Sequence, residues 1–232
     1  GYTAAGSGGG KTAIGNGTID LGLSDSENKN ADKPAGMIHI PFVAWPVTIM
    51  YNLNTNKSVN LSTDTIAKIF AGKITMWNDP AIAAANPGVN LPAATIAAFH
   101  RSDSSGTTDN FTKYLSAAAP TAWTYGSGKE WAAPGGQGAK GSDGMANAVK
   151  QTANSIAYME LSFAQNASLA VANVDNGGGA VAPSAETASP TIADANITGT
   201  GNDLSLAIDY QTRTSYPIVL VTYEITCEKG GD

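Results

Sequence analysis

An α/β fold is predicted for this chain by three features of its pattern. Apolar or alternating runs of strand length, at residues 18–23, 37–51, 95–99, 155–158 and 218–225, are interleaved with amphipathic helical stretches at 63–72, 79–86, 104–119 and 142–152. Two runs, 47–51 and 218–225, lie far apart in the chain and match each other in character, so they are placed as strands crossing between two lobes, as a hinge requires. Finally, 232 residues of which 42% are hydrophobic suffice to bury one large core or two lobes.

Composition narrows the classes of partner. Only 14% of residues are charged and the net charge is −6, a balance that argues against nucleic acid or an anionic membrane. No run reaches the eighteen or so apolar residues of a membrane span. The low charge is often seen in exported proteins without proving export, and since the sequence starts without Met, signal peptide or lipidation box, export is left to be inferred from family resemblance. The single cysteine, Cys227, precludes an internal disulfide and falls in an apolar strand pattern, where a small buried hydrophobe is expected.

From the N-terminus, residues 5–12 satisfy the relaxed phosphate-loop pattern of Ala or Gly, four residues, then Gly10-Lys11-Thr12. Its context is poor, because Gly1-Tyr2-Thr3 is polar where a buried strand belongs, and Gly15 and Gly17 leave barely a turn of helix. Residues 18–23 alternate as a strand with Ser24 and Asp25 at its end, the place where open α/β sheets put ligand contacts. Residues 27–36 read as a polar loop. The stretch 37–51 is the longest hydrophobic run, but Pro41 and Pro46 divide it, and two short strands are expected. His39 within it reads as a packed or edge histidine.

Further on, Ser62 or Thr63 caps a helix with Ile66, Ile69 and Phe70 inward and Gly72 at its end. Asp79-Pro80 opens another, stopped by Asn86-Pro87, and Trp77 between them is assigned to the core. A strand at 95–99 feeds into Arg101, and Phe111, Tyr114, Leu115 and Ala118 form one stripe of a helix beginning between Ser104 and Thr107 and closed by Pro120. The glycine cluster at 135–141 is read as loop, Ser142 as the cap of the helix carrying Met145, Ala148, Val149 and Thr152, and 175–203 as a connection with one short helix.

Residues 100–111 hold the densest functional signal. Arg101 stands beside a run of small hydroxyl residues that opens a helix, whose first N–H groups lack intrahelical partners and carry the positive end of the helix dipole. Such a site suits an oxyanion, with the Arg101 fork meeting two of its oxygens. The simpler alternative is that Ser104 or Ser105 caps the helix and Arg101 pairs with Asp103 on the surface.

The pattern of Arg101, Asp103, Ser105, Gly106, Thr107 and Phe111 resembles the signature of the phosphate-binding proteins that serve high-affinity phosphate ABC transporters. Three further blocks agree in order: Gly6-Ser7-Gly8-Gly9-Gly10, Asp20 to Asp25, and Tyr216-Pro217-Ile218 before a hydrophobic strand. Residues 74–80 and 215–220 place the similarity nearest the actinobacterial branch.

The resemblance implies a type II periplasmic-binding-protein fold of two lobes joined by two crossing strands, with lobe I at residues 1–45 plus 218–232 and lobe II at 46–217. It implies that Ser7 and Asp25 from one lobe, with Arg101, Ser105, Gly106 and Thr107 from the other, hold inorganic phosphate in the cleft while Asp103 steadies Arg101. Lys11 is then only a charge on a short helix. Asp25 becomes the selectivity element: an ionised carboxylate is acceptor-only, so it takes the proton of HPO₄²⁻ or H₂PO₄⁻, and sulfate has none to offer. Closure of the lobes signals to the ABC permease subunits. The implied protein is a monomer outside the cytoplasm, in the periplasm or at the cell surface, without cofactor or metal. The family's opening strand and loop and its closing helices are missing from these residues, so a fragment is expected.

Enzymatic alternatives find little support in the residues. The two histidines show no metal-like spacing. A metal-independent phosphatase using Asp25 or Ser105 as nucleophile, with Arg101 holding phosphate, has no second activating group.

Overall fold

In the computed structural model, which describes residues 3, 5–28 and 33–228, the expected interleaving of strands and helices is present. In chain order the elements are α1 (Gly6–Gly15), β1 (Leu21–Ser24), β2 (Met37–Asn52), β3 (Asn60–Ser62), α2 (Thr63–Phe70), α3 (Pro80–Ala84), β4 (Ala97–Arg101), α4 (Gly106–Ala118), β5 (Gln137–Ala139), α5 (Gly141–Gln151), β6 (Ser155–Glu160) and α6 (Leu161–Ala167). Then follow β7 (Ala170–Val171), β8 (Asn173–Asp175), β9 (Ala180–Val181), α7 (Ala185–Ala193), β10 (Asn196–Thr200), β11 (Asp203–Ala207) and β12 (Val219–Cys227). Most of the polar segment Gly1 to Thr3, the middle of the 27–36 loop and the last four residues lie outside the described residues.

The principal sheet runs β1-β12-β2-β6-β4-β5, and β2 holds it together. Residues Met37 to Pro46 of β2 pair antiparallel with β12, whereas Val47 to Asn52 pair antiparallel with β6. One continuous strand replaces the two short ones expected. Pro41 is tolerated because the register shifts there: Thr222 pairs with Val43 and Tyr223 with Pro41, leaving Phe42 unpaired in a bulge. Pro46 falls where β2 exchanges one partner for the other, so its missing N–H interrupts neither ladder.

This exchange joins two hydrophobic clusters. The larger contains Val47, Ile49, Tyr51, Ile66, Trp77, Phe111, Tyr158 and Ile218 to Leu220. The smaller contains Ile14, Met37, Val221, Tyr223 and Ile225. Both β2 and β12 contribute to each, which is how two crossing strands appear in packing.

Local expectations are met where a cap and a stripe coincide. Ser62 Oγ accepts from Thr65 N at the start of α2, whose Ile66, Ile69 and Phe70 are buried. Asp79 caps α3 with Pro80 in its first turn, and Trp77 is fully buried with Nε1 donating to Asn154 O at 2.9 Å. Elsewhere tertiary pairing overrides the local reading. The glycine cluster supplies β5, paired parallel with β4, and α5 begins at Gly141 behind Lys140 without a side-chain cap. The 175–203 connection contains β9 and β10 as well as α7. Cys227 is exposed, because it ends β12 beyond the small core.

His39 is packed as expected. Its Nε2 accepts from Asn28 N and its Nδ1 lies 3.0 Å from Asp203 Oδ1, which fixes the neutral tautomer with hydrogen on Nδ1. Lys33 also pairs with Asp203, tying the β10–β11 hairpin to β2.

Tyr216 guards the junction: fully buried, it donates from its hydroxyl to Val47 O at 2.8 Å. Tyr216→Phe strands that carbonyl, so urea unfolding should show a loss of about 1–3 kcal/mol.

Candidate functional site

The topology brings the ends of distant strands together. β1 runs parallel to β2 with Ser24 level with Pro41, both facing Tyr223, while β6 runs against β2 and ends with Glu160 opposite Val47. The carboxyl ends of β1 and β6 therefore point at each other across the partner exchange. Because β4 is parallel to β6, its terminal residue Arg101 arrives at the same edge. Asp25, Glu160 and Arg101 meet there, as ligand contacts do at the carboxyl ends of open sheets.

Two helices aim their N-termini into this meeting point. α1 opens with Gly6 and Ser7 against Ser104, and Gly8 N donates to Ser104 O at 3.3 Å. A Cβ on Gly8 would stand 2.5 Å from Ser104 Cβ, so glycine is required for this approach despite its low helix propensity. α1 spans ten residues rather than the single turn expected, and it is already helical from Gly6. The segment that matched the phosphate-loop pattern is thus helix where that motif needs an open loop. Lys11, expected as a bystander charge, donates to Glu27 O at 2.6 Å and Ser26 Oγ at 3.0 Å, fastening α1 to the chain after Asp25. Burial and then Lys129 bring its pKa down to about 8.

The second helix, α4, starts behind Ser105, whose Oγ accepts from Thr108 N at 3.2 Å. The capping role is real, but it consumes only a lone pair, and the Ser105 hydrogen stays available. Ser7 is in the same position, since its Oγ accepts from Asp25 N at 3.0 Å. Ser7, Arg101, Ser105 and Thr107 are each no more than 5% exposed. The two helix starts meet at Gly106, where a Cβ would stand 2.4 Å from Ser7 Oγ and 2.6 Å from Asp25 Cβ. All six residues expected to bind phosphate are therefore gathered at one place.

Arg101 differs from expectation in its orientation. Its fork is occupied by Asp103, with Nε donating to Oδ1 at 2.7 Å and Nη2 to Oδ2 at 2.5 Å. Nη1 reaches Ser142 Oγ at 3.4 Å, so Ser142 serves the site instead of capping its own helix. The pair is not on the surface. Burial disfavours the guanidinium charge, and Asp103 overrules it, holding the Arg101 pKa above its ordinary value. The Arg101 hydrogen bond, joined by Gly141 N–H, takes Asp103 down to about 2 despite partial burial. Asp103 thus steadies Arg101, leaving one Nη1 and one Nη2 hydrogen outside these bonds.

The two acids at the edge carry raised pKa values. For Asp25, burial outweighs the Thr222 hydrogen bond and the attraction of Arg101. Thr222 Oγ1 donates to its Oδ1 at 2.7 Å, which leaves Oδ2 unclaimed by that bond. For Glu160, burial and then Asp25 outweigh the hydrogen bond it shares with Thr107 Oγ1, 2.7 Å from Oε1.

Three contributors escaped the sequence reading. Thr222 is aimed by the bulge in β2, which no residue pattern announces. Glu160 lies two residues past the strand expected at 155–158, and its place at a strand's carboxyl end was the available signal. Asn110 donates from Nδ2 to Asp25 O and Gly106 O and accepts from Tyr210 at 3.1 Å, latching the turn after β1 to α4. Asp25 and Asn110 also border a cavity of about 260 Å³, lined further by Glu27, Lys113, Tyr210 and Tyr223, which Arg101, Ser105 and Thr107 do not reach. His100 stacks on Trp131 at 4.9 Å and bonds Arg101 O, away from these donors.

A mixed sheet traversed by two shared strands, with helix N-termini and buried donors facing one another across the exchange, is the type II periplasmic-binding-protein architecture. The chain belongs to the PBP superfamily, whose domain model matches residues 1–232. It is 46% identical over 244 residues to phosphate-binding protein PstS 3 of Mycobacterium tuberculosis, covering 100% of this chain and 66% of that protein. Phosphate-binding protein PstS of Pasteurella multocida is 38% identical, with 96% of this chain and 66% of that protein covered. The chain thus spans 66% of the length of these relatives. Among solved structures, the high affinity periplasmic phosphate-binding protein PfluDING superposes with a TM-score of 0.75 at 23% identity, covering 96% of this chain and 72% of its own. A human phosphate binding apolipoprotein gives 0.77 at 23% identity, covering 96% of this chain and 73% of its own, and both share the fold.

Asp103→Asn should leave a buried guanidinium short of its partner and cost about 3 kcal/mol, the lower end for such pairs because Asp103 is 20% exposed. Since the Asp103 pKa is depressed, its contribution is present above the ordinary carboxylate range and disappears as pH falls toward about 2. Thermal melts over acidic pH should show the wild-type advantage over Asp103→Asn shrinking in that window.

Proposed function

We propose that this chain captures inorganic phosphate between two lobes and presents it to the permease subunits of an ABC importer, outside the cytoplasm, as a monomer and without turnover. Lobe I comprises residues 1–45 and 218–232, lobe II residues 46–217, and β2 and β12 are the crossing strands about which they move. The presence of two hydrophobic clusters and the family membership support two lobes, with Ile218 to Leu220 packing in the larger cluster and Leu206 and Ile208 against the smaller one. Among the described residues, no helix is long and apolar enough to cross a membrane.

The observation that carries the reading is a carboxylate set among donors. The Ser7 and Ser105 hydroxyls, the Gly106 and Thr107 N–H groups that open α4, and Arg101 are gathered in one buried place, and donors of this kind hold any tetrahedral oxyanion. Asp25 is the exception: it stands among these groups with Oδ1 held by Thr222, and its Oδ2 is left as an acceptor. An acceptor there is useful only if the ligand carries a hydrogen. Phosphate does at neutral pH, and sulfate does not. The relatives' names as phosphate-binding proteins agree. A nucleophilic role for Ser105 is disfavoured by its place as helix cap, because it has no base beside it.

Arg101 supplies the guanidinium at this point, so Arg101→Ala should weaken phosphate binding by about 2–5 kcal/mol in calorimetry. Unaltered affinity would remove Arg101 from the site. Asp25→Asn replaces an acceptor by an amide able to donate to a fully ionised anion. The preference for phosphate over sulfate should narrow by about tenfold or more in competition, in proportion to a lost charge-assisted hydrogen bond.

A further inference from the structure

The carboxyl end of β6 puts a second acid at the site, and the reading above gives it no part. Glu160 is the last residue of β6. Its Oε1 lies 2.7 Å from Thr107 Oγ1, and its Oε2 is enclosed with no hydrogen-bond partner among the described residues. An ionised carboxylate with one oxygen shut away from water and from every donor is unfavourable. A protonated carboxyl of the same geometry avoids most of that penalty. The hydrogen sits on the bonded oxygen, and the other oxygen keeps only a carbonyl's partial charge.

The charge balance around Glu160 leads to the same place. Asp25 faces it from the turn after β1, Arg101 from the end of β4, and the Thr107 hydroxyl from α4. Val47, opposite on β2, and α6, which follows, bring no titratable side chain, and α5 enters only through Ser142 on Arg101. Arg101 is already matched by Asp103. Ionised Glu160 beside ionised Asp25 would leave two unbalanced negative charges where an anion has to be held, and neighbouring carboxylates in one desolvated site do not both ionise. Asp25 has the Thr222 hydroxyl to support its charge. Glu160 has the Thr107 hydroxyl and its own backbone N–H, and Oε2 is left without a partner among the described residues.

On the strength of the phosphate reading, we propose that Glu160 holds a proton in the folded chain and donates it to Thr107 Oγ1, so that the Thr107 hydroxyl hydrogen is turned to the bound oxyanion. The 2.7 Å separation is the same whichever oxygen owns the hydrogen. Were Glu160 ionised, Thr107 would spend its only hydrogen on Glu160 and meet the anion with lone pairs. Glu160 is therefore a positioning residue, setting the polarity of Thr107 without touching ligand itself.

Two measurements test this. Infrared spectroscopy at neutral pH should show the carbonyl stretch of an un-ionised carboxylic acid, lost in Glu160→Gln and retained in Asp25→Asn. Calorimetric phosphate affinities of wild type and Glu160→Gln are then compared over pH. The Gln amide keeps a donor toward Thr107 at every pH, so the variant should match wild type in mild acid. Wild type should fall progressively behind it above the Glu160 pKa, by at most about tenfold for each pH unit. Taking the ratio of the two affinities cancels the titration of phosphate itself. Absence of the acid band, or a ratio constant over pH, overturns the proton assignment while the phosphate reading stands. No phosphate uptake by wild type at any pH overturns the phosphate reading, and with it the role given to Thr107, whereas the infrared band still decides where the proton lies.

Discussion

The exchange of partners along β2 is the constraint on which the remaining geometry depends. A strand that pairs with β12 over its first ten residues and with β6 over its last six must carry both sheets in one direction, and strands added to either side inherit their polarity from it. β1 and β6 are driven toward each other for that reason, and their terminal groups, Asp25 and Glu160, meet at the exchange. Prolines at 41 and 46 are where such a strand tolerates them. One sits at a bulge and the other at the change of edge, so no ladder hydrogen bond is sacrificed in the interior of either sheet.

A chain of net charge −6 offers no basic funnel to an anion, and attraction here is a local matter. The donors are dipoles and hydroxyls: two helix starts and the hydrogens of Ser7, Ser105 and Thr107, beside one guanidinium whose fork is already taken. This division is informative. If Asp103 cancels most of the Arg101 charge, the guanidinium contributes fixed hydrogen-bond geometry more than net attraction, and the site stays close to neutral before ligand arrives. Near-neutrality suits discrimination, because a strongly positive pocket would favour the most highly charged anion regardless of whether it carries a hydrogen.

Much of this arrangement was legible in the residues. The helix after Arg101 was fixed by its apolar stripe, its hydroxyl cap and Pro120, three signals agreeing within a few positions, and α4 begins and ends there. Arg101 was readable as a cation beside the hydroxyls of a helix start, whereas the roles of Ser7 and Asp25 came from motif resemblance, since a carboxylate at an anion site looks wrong on charge. What escaped notice depends on pairing between distant segments. A glycine cluster became β5 only because β4 offers it a free edge, and α1 persists through five glycines because Gly8 lets it lie against Ser104. Thr222 and Asn110 are ordinary residues until a bulge and a facing turn give them partners. Cys227 shows the opposite error: strand alternation would bury it, but a period says nothing about where the core beneath the strand ends.

Gly106 draws these threads together. Its missing side chain lets Ser7 Oγ and Asp25 approach the first turn of α4, so the donors of one half reach their working positions only when the other half is within van der Waals distance. The hydrogen bond from Asp25 N to Ser7 Oγ and the Asn110 amide on Asp25 O then lock the same turn from two sides. In the proposed site, recognition and approach of the halves are consequently one event. Asp25 is desolvated by the same contact that sets Ser7 Oγ against the first turn of α4, and an unmatched acceptor in that setting loses far more than it would in water. In the proposed phosphate site, selectivity by a single proton would follow from how tightly the two halves are permitted to pack, and glycine at position 106 is what permits that packing.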